Sequence, residues 1–113
     1  MPDKLEANIY RDDHATSRSI TLTLSDDYRL CISAYDIGSA CEHTWGSDDY
    51  QFWVDVEPEA TKELIKRYKL ADDNPETLFN ELVLRYKGHE KAVTEFRDFC
   101  EEHKIAHEFQ QYM

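Results

Sequence analysis

The hydrophobic repeat of the chain changes at Pro58, from two residues to between three and four. Before Pro58, Ile20, Leu22 and Leu24 alternate with threonines, which is the pattern of a strand with one buried face. Alternation of this kind, separated by turn-forming residues, predicts four strands over 18–24, 28–35, 40–45 and 50–57. Because the connections are short, these strands are predicted to form an antiparallel meander.

After Pro58 the apolar residues follow helical spacing. Pro58 and the pair Asn74-Pro75 are typical of helix starts, and Gly88 is typical of a helix end. Helices are predicted over 58–69, 75–87 and 90–103. Each carries one apolar stripe, so the three helices are expected to cover one face of the sheet.

The two ends of the chain have weaker patterns. Residues 1–17 are mostly polar and are predicted to form a flexible arm or an edge strand. Residues 105–113 fit either a short C-terminal strand or a packed tail. The predicted fold class is therefore α+β, a four-stranded antiparallel meander followed by three helices packed on one face. One domain over 1–113 accommodates it.

Composition and charge argue against several classes of function. The 113 residues carry a formal charge of −11, and so acidic a chain is a poor ligand for phosphate backbones. No apolar segment approaches the length of a membrane span, and the first residues lack the apolar run of a secretory signal. Cys31, Cys41 and Cys100 are odd in number and form no CxxC pair, so reduced thiols are expected. We therefore expect a cytoplasmic protein with neither a nucleic-acid nor a membrane partner.

The negative charge is concentrated in the predicted strands and their loops. Residues 1–57 hold 12 acidic and 4 basic side chains, whereas residues 58–113 hold 12 and 9. Between Arg29 and Lys62 there are seven acidic residues and no Lys or Arg. Five aromatic residues lie in the same window, at Tyr35, Trp45, Tyr50, Phe52 and Trp53.

An acidic surface that also presents aromatic side chains suits a basic protein partner. Acidic groups steer the encounter, and Trp and Tyr supply contact energy at the centre of an interface. Taken singly, each acid fits a solvated loop charge and each tryptophan fits a core residue. The predicted partner-binding residues are Tyr35, Asp36, Trp45, Asp48, Asp49, Tyr50, Trp53, Asp55 and Glu57.

Two other function classes remain as alternatives. A small metal-dependent or histidine-based enzyme would use His43, His103 or His107 with nearby carboxylates. The chain lacks the usual metal-ligand and nucleophile motifs and has three glycines, so no catalytic residue, metal or cofactor is predicted. The other alternative is a self-associating module that pairs through an exposed edge strand or its C-terminal tail.

Short motifs also suggest a resemblance. The stretch Trp45-Gly46-Ser47-Asp48-Asp49-Tyr50 before a strand and the ending Ile105-Ala106-His107-Glu108-Phe109 resemble those of a group of small acidic bacterial proteins of uncharacterised function, over about residues 18–110. In size and acidity the group is similar to immunity proteins of bacterial toxin systems, including contact-dependent inhibition. Those proteins neutralise toxins by binding, and many of the toxins are basic nucleases. The resembled group has no established activity, and it is the likeness in size and charge, not in fold, that suggests an immunity-type inhibitor of a basic toxin domain.

Overall fold

The computed structural model describes residues 4–12, 16–38 and 49–112, which form a five-stranded antiparallel sheet and three helices. The strands are β1 (Lys4–Asp12), β2 (Thr16–Ser25), β3 (Leu30–Gly38), β4 (Asp49–Val56) and β5 (Glu108–Tyr112). The helices are α1 (Pro58–Arg67), α2 (Pro75–Tyr86) and α3 (Ala92–Glu102). The predicted α+β class, with a strand at the C-terminal end, is confirmed.

The sheet keeps the order of the chain, β1-β2-β3-β4-β5, with each strand antiparallel to its neighbours. A tight turn links β2 to β3, with Tyr28 at φ 69° and its N–H donating to the Ser25 carbonyl at 3.0 Å. The register of β1 against β2 shifts between Asn8 and Tyr10, which marks a β-bulge. The bulge brings consecutive residues, Ile9 and Tyr10, into the core or against it.

The meander consists of β1 to β4, and its strands β2, β3 and β4 correspond to those predicted over 18–24, 28–35 and 50–57. The first is β1, which lies inside the segment predicted as an arm or an edge strand. The strand predicted over 40–45 lies outside the described residues, and β3 pairs directly with β4. Cys31 is therefore opposite Asp55 rather than Thr44, the partner that a strand over 40–45 would have given it.

The helices begin and end close to the predicted positions, and for α1 and α2 the start and end residues recognised in the sequence account for this. Pro58 and Pro75 occupy the first turns of α1 and α2, where a missing N–H has no cost. The Asn74 side chain accepts a hydrogen bond from the Glu76 N–H at 2.9 Å, which caps α2. After α2, Gly88 has φ 82°, a conformation that disfavours residues with a side chain.

One hydrophobic core lies between the sheet and the helices. Alternate residues of β2, β3 and β4, among them Leu22, Ile32 and Val54, are fully buried against Leu64, Leu82 and Phe96 of the helices. The helices have 10 to 12 residues, and none within the described ranges is long and apolar enough to cross a membrane. All three helices contribute to this core, so they lie on one face of the sheet.

Candidate protein-binding face

The other face of the sheet carries the alternate residues and no described helix packs on it. We call it the open face. Its side chains are half-buried or exposed, whereas their sequence neighbours on β2, β3 and β4 are in the core. The pairing registers place its members in rows across the five strands. One row contains Glu6, Thr23, Cys31, Asp55 and Glu108, and the next contains Asn8, Thr21, Ser33, Trp53 and Gln110.

Two of the predicted aromatic residues lie on the open face. Trp53 is half-buried on β4, and its indole N–H donates to an Asp55 carboxylate oxygen at 3.1 Å. Tyr35 lies on β3 with 38% of its surface exposed. Trp53 and Tyr35 give the face rigid contact area, and such residues contribute strongly to binding when a partner covers them.

Three carboxylates meet at one end of the open face. Asp55 and Glu108 are direct cross-strand partners on β4 and β5, so two negative charges face each other. Glu57, two residues beyond Asp55, is exposed and accepts a hydrogen bond from Arg29 at 3.2 Å. No basic side chain in the described part of the chain pairs with Glu108. Like charges directly opposite each other destabilise a sheet, so this pair is not explained by folding.

A depression of about 320 Å³ lies beside these carboxylates. Its lining includes Thr23 and Cys31 from the sheet and Arg29 just before β3, in addition to Asp55, Glu57 and Glu108. Arg29 is the one basic side chain in the lining, and it is already paired with Glu57 and with Asp27 at 3.5 Å. This end of the open face is therefore concave and negatively charged.

Cys31 is a poor nucleophile in this setting. Burial and the neighbouring Asp55 carboxylate raise the pKa of the Cys31 thiol to about 12. A thiol with so high a pKa stays protonated at neutral pH, and the thiolate is the reactive form. Cys31 therefore acts as a small, half-buried packing residue on the open face.

Asp36 does not belong to the open face. It lies on the helix-covered side of β3 and is 5% exposed. The Arg18 guanidinium donates two hydrogen bonds to it, both at 2.7 Å, and a third to the Glu90 carbonyl at 3.0 Å. This bidentate bond to Asp36 raises the pKa of Arg18, against the opposing effect of burial. The Asp36 carboxylate is thus occupied inside the molecule and is not available to a partner.

Tyr50 also faces the helix-covered side. Its ring lies 5.2 Å from that of Phe52, and its hydroxyl donates to Gln111 Oε1 at 2.6 Å.

Trp45 and Asp48 lie outside the described residues, and Asp49 is the first residue of β4. Of the nine predicted partner-binding residues, Tyr35, Trp53 and Asp55 come together on the open face, and Glu57 lies at its end.

Glu108 and Glu6 complete the acidic row and were not among the predicted residues. Both come from the ends of the chain, where the hydrophobic pattern is weak. For Glu108, the available signal was the alternation of Ile105, His107 and Phe109, because it places Glu108 on the side of a strand that faces away from the core. What the sequence could not show was the pairing of β5 with β4, which brings Glu108 against Asp55.

The described histidines are used locally. His103 packs against Phe99 with ring centroids 4.2 Å apart and the rings tilted by 36°, and His107 Nδ1 lies 2.8 Å from the Ile105 carbonyl oxygen. His89 Nδ1 lies 2.8 Å from a Glu95 carboxylate oxygen. Within residues 4–12, 16–38 and 49–112 no three His, Cys, Asp or Glu side chains are arranged to hold a metal ion. His43 lies outside these ranges.

Comparisons with protein-family models, with curated proteins and with solved structures find no match.

Proposed function

We propose that this protein is a binding protein that captures a basic protein domain on its open face. The observation that carries the proposal is the pairing of Asp55 with Glu108 beside Trp53. A like-charge pair formed by the half-buried Asp55 and the exposed Glu108 costs folding stability, and a positively charged partner removes that cost on binding. The aromatic residues supply the contact energy that charge alone does not.

The difference between the two faces supports the same proposal. The helical half of the chain carries nearly as many basic as acidic residues and has i,i+4 ion pairs such as Arg67–Glu63 and Arg85–Glu81. At the end of the open face, Arg29 is the only base in the depression that the carboxylates line. A basic partner is therefore attracted to the sheet more than to the helices.

The resemblance to a group similar to immunity proteins suggests the biological form of this binding. In that form the protein is a cytoplasmic, non-enzymatic inhibitor that covers a basic toxin domain and so blocks it. An immunity gene is expected directly after the gene of its toxin. The first test is therefore whether the preceding gene encodes a protein with a basic domain.

The second test is a charge reversal on the open face. The variant Asp55→Lys/Glu108→Lys should lose at least about 100-fold in affinity for the neighbouring basic domain, measured by calorimetry, since charge pairs at protein interfaces contribute several kcal/mol in favourable cases. Asp55→Asn/Glu108→Gln should lose less, because it removes attraction without adding repulsion.

The matched control is Asp98→Lys/Glu102→Lys on α3. Asp98 and Glu102 are exposed and four residues apart on one helix, so they also form a like-charge pair and their reversal changes the net charge equally. This variant should bind within about threefold of the unmodified protein, by the smaller effect of charges remote from an interface. Equal losses from both reversals would show that net charge, and not the open face, determines binding.

A further inference from the structure

The two edges of the sheet differ in whether they can accept another strand. On β1, the bulge between Asn8 and Tyr10 interrupts the regular pairing. The Ile9 carbonyl at the bulge accepts a hydrogen bond from the Gly88 N–H at 2.7 Å, so the loop after α2 occupies the middle of this edge. A bulge and a covering loop are two of the devices by which proteins block edge strands.

The β5 edge has neither device. Its five residues pair with β4 in an unbroken register, from Asp55 opposite Glu108 to Gln51 opposite Tyr112. Within the described ranges, no residue forms a backbone hydrogen bond with the outer side of β5. The strand contains no Lys and no Pro, the residues that most often protect an edge. Alternate N–H and C=O groups of β5 therefore point away from the sheet and can pair with another strand.

We infer that an extended basic segment of the partner adds to β5 as a sixth strand of the sheet. The inference rests on the proposed function, because it names how the partner of the open face is held. Main-chain hydrogen bonds to β5 would supply affinity, and lysine or arginine side chains on the open side of the added strand would lie against Glu108. Such a strand also places one of its basic side chains in line with Asp55 and Glu108, next to the depression that Asp55 and Glu57 line.

Charge argues for a basic partner and against a second copy of this chain at the same edge. Each copy carries a formal charge of −11, and pairing β5 with β5 would bring two Glu108 side chains and their neighbours into one sheet. A basic strand meets the opposite situation at Glu108, where one of its side chains lies beside a carboxylate, while the neighbouring open-face residue Gln110 is neutral.

The test uses two synthetic nine-residue peptides of equal charge. One alternates lysine with threonine and forms a strand readily. In the other, proline replaces every threonine and the backbone nitrogens of the lysines are methylated, so neither edge of the peptide has an N–H to donate. The lysine–threonine peptide should bind at least about tenfold more tightly, which corresponds to one or two net hydrogen bonds. Amide hydrogen exchange should slow in β5 and stay unchanged in β1.

The remaining outcomes each overturn the inference. Equal affinities with unchanged exchange in β5 would mean that charge alone attracts the peptides, and the proposed function would stand without the added strand. Slower exchange in β1 would show that the peptide binds at the β1 edge, which contradicts the inference. No binding of the lysine–threonine peptide would exclude strand addition, while the proposed function would still be judged by the charge reversal against the whole basic domain.

Discussion

At the scale of single residues, position on the sheet decides whether a carboxylate is structural or available. Asp36 and Asp55 both belong to the acidic window of the sequence, yet they lie on opposite faces. Asp36 is held by Arg18, 18 residues earlier, and Arg18 in turn lies 5.3 Å from the centre of the Phe52 ring. Cross-strand register places Arg18 opposite Asp36, and nothing local to either residue reveals it.

The Arg18–Asp36 pair gives a prediction about stability. Asp36→Leu should lower the free energy of unfolding by about 2–4 kcal/mol, below the roughly 3–5 kcal/mol of a fully buried pair, because Arg18 keeps a quarter of its side chain exposed. Arg18→Met/Asp36→Leu should lose less than the single variant, since it leaves no unpaired charge. Urea denaturation measures both, and a double variant at least as unstable as the single one would contradict this role.

At the scale of elements, the pairing of β4 with β5 brings together two like charges that folding does not need. Glu108→Gln should therefore raise the free energy of unfolding by about 0.2–1 kcal/mol, seen as a higher urea midpoint with an unchanged slope. Because the effect is electrostatic, it should shrink in 1 M salt. A loss of stability in this variant would mean that Glu108 has a stabilising contact and would remove the main support for the proposed function.

Several elements were predictable from sequence because their signals are local. The strands over 18–24, 28–35 and 50–57 follow strict alternation, and Asn74 and Gly88 mark the ends of α2. The β1 strand was not separable from an arm, since its bulge places the consecutive Ile9 and Tyr10 on the core side and so breaks the two-residue repeat. The acidic row likewise depends on long-range pairing, which no local pattern reveals.

At the scale of the whole molecule, one face of the sheet forms the core with the helices, and the other is the face that we propose binds the partner. The core unites β2, β3 and β4 with all three helices, so the open face can change its charges with little effect on folding. Carboxylates on the open face stay hydrated until a partner covers them.

Because they are buried, several thiol and phenol groups make the stability of the fold depend on pH in the alkaline range. Burial raises the pKa of Cys100 to about 12 and also raises the pKa values of Tyr68 and Tyr86. The unfolded thiol ionises near its ordinary value of 9.0, so it releases its proton at a lower pH than the folded thiol does. Stability from Cys100 is therefore complete below pH 9 and is lost as the pH rises toward 12. Measured by urea denaturation, the free energy of unfolding of Cys100→Ala should fall less between pH 8 and pH 10.5 than that of the unmodified protein. An equal fall would show that the Cys100 thiol is not a source of this pH dependence.

The most direct measurement of the central claim is an NMR titration of the ¹⁵N-labelled protein with the basic domain encoded by the neighbouring gene. The account predicts that the Trp53 indole N–H and the amides of β4 and β5 shift most, together with Tyr35 on β3. It also predicts that the amides of α1, α2 and α3 change little. Shifts concentrated on the helices, with the Trp53 indole unaffected, would contradict the proposal that the open face is the binding surface.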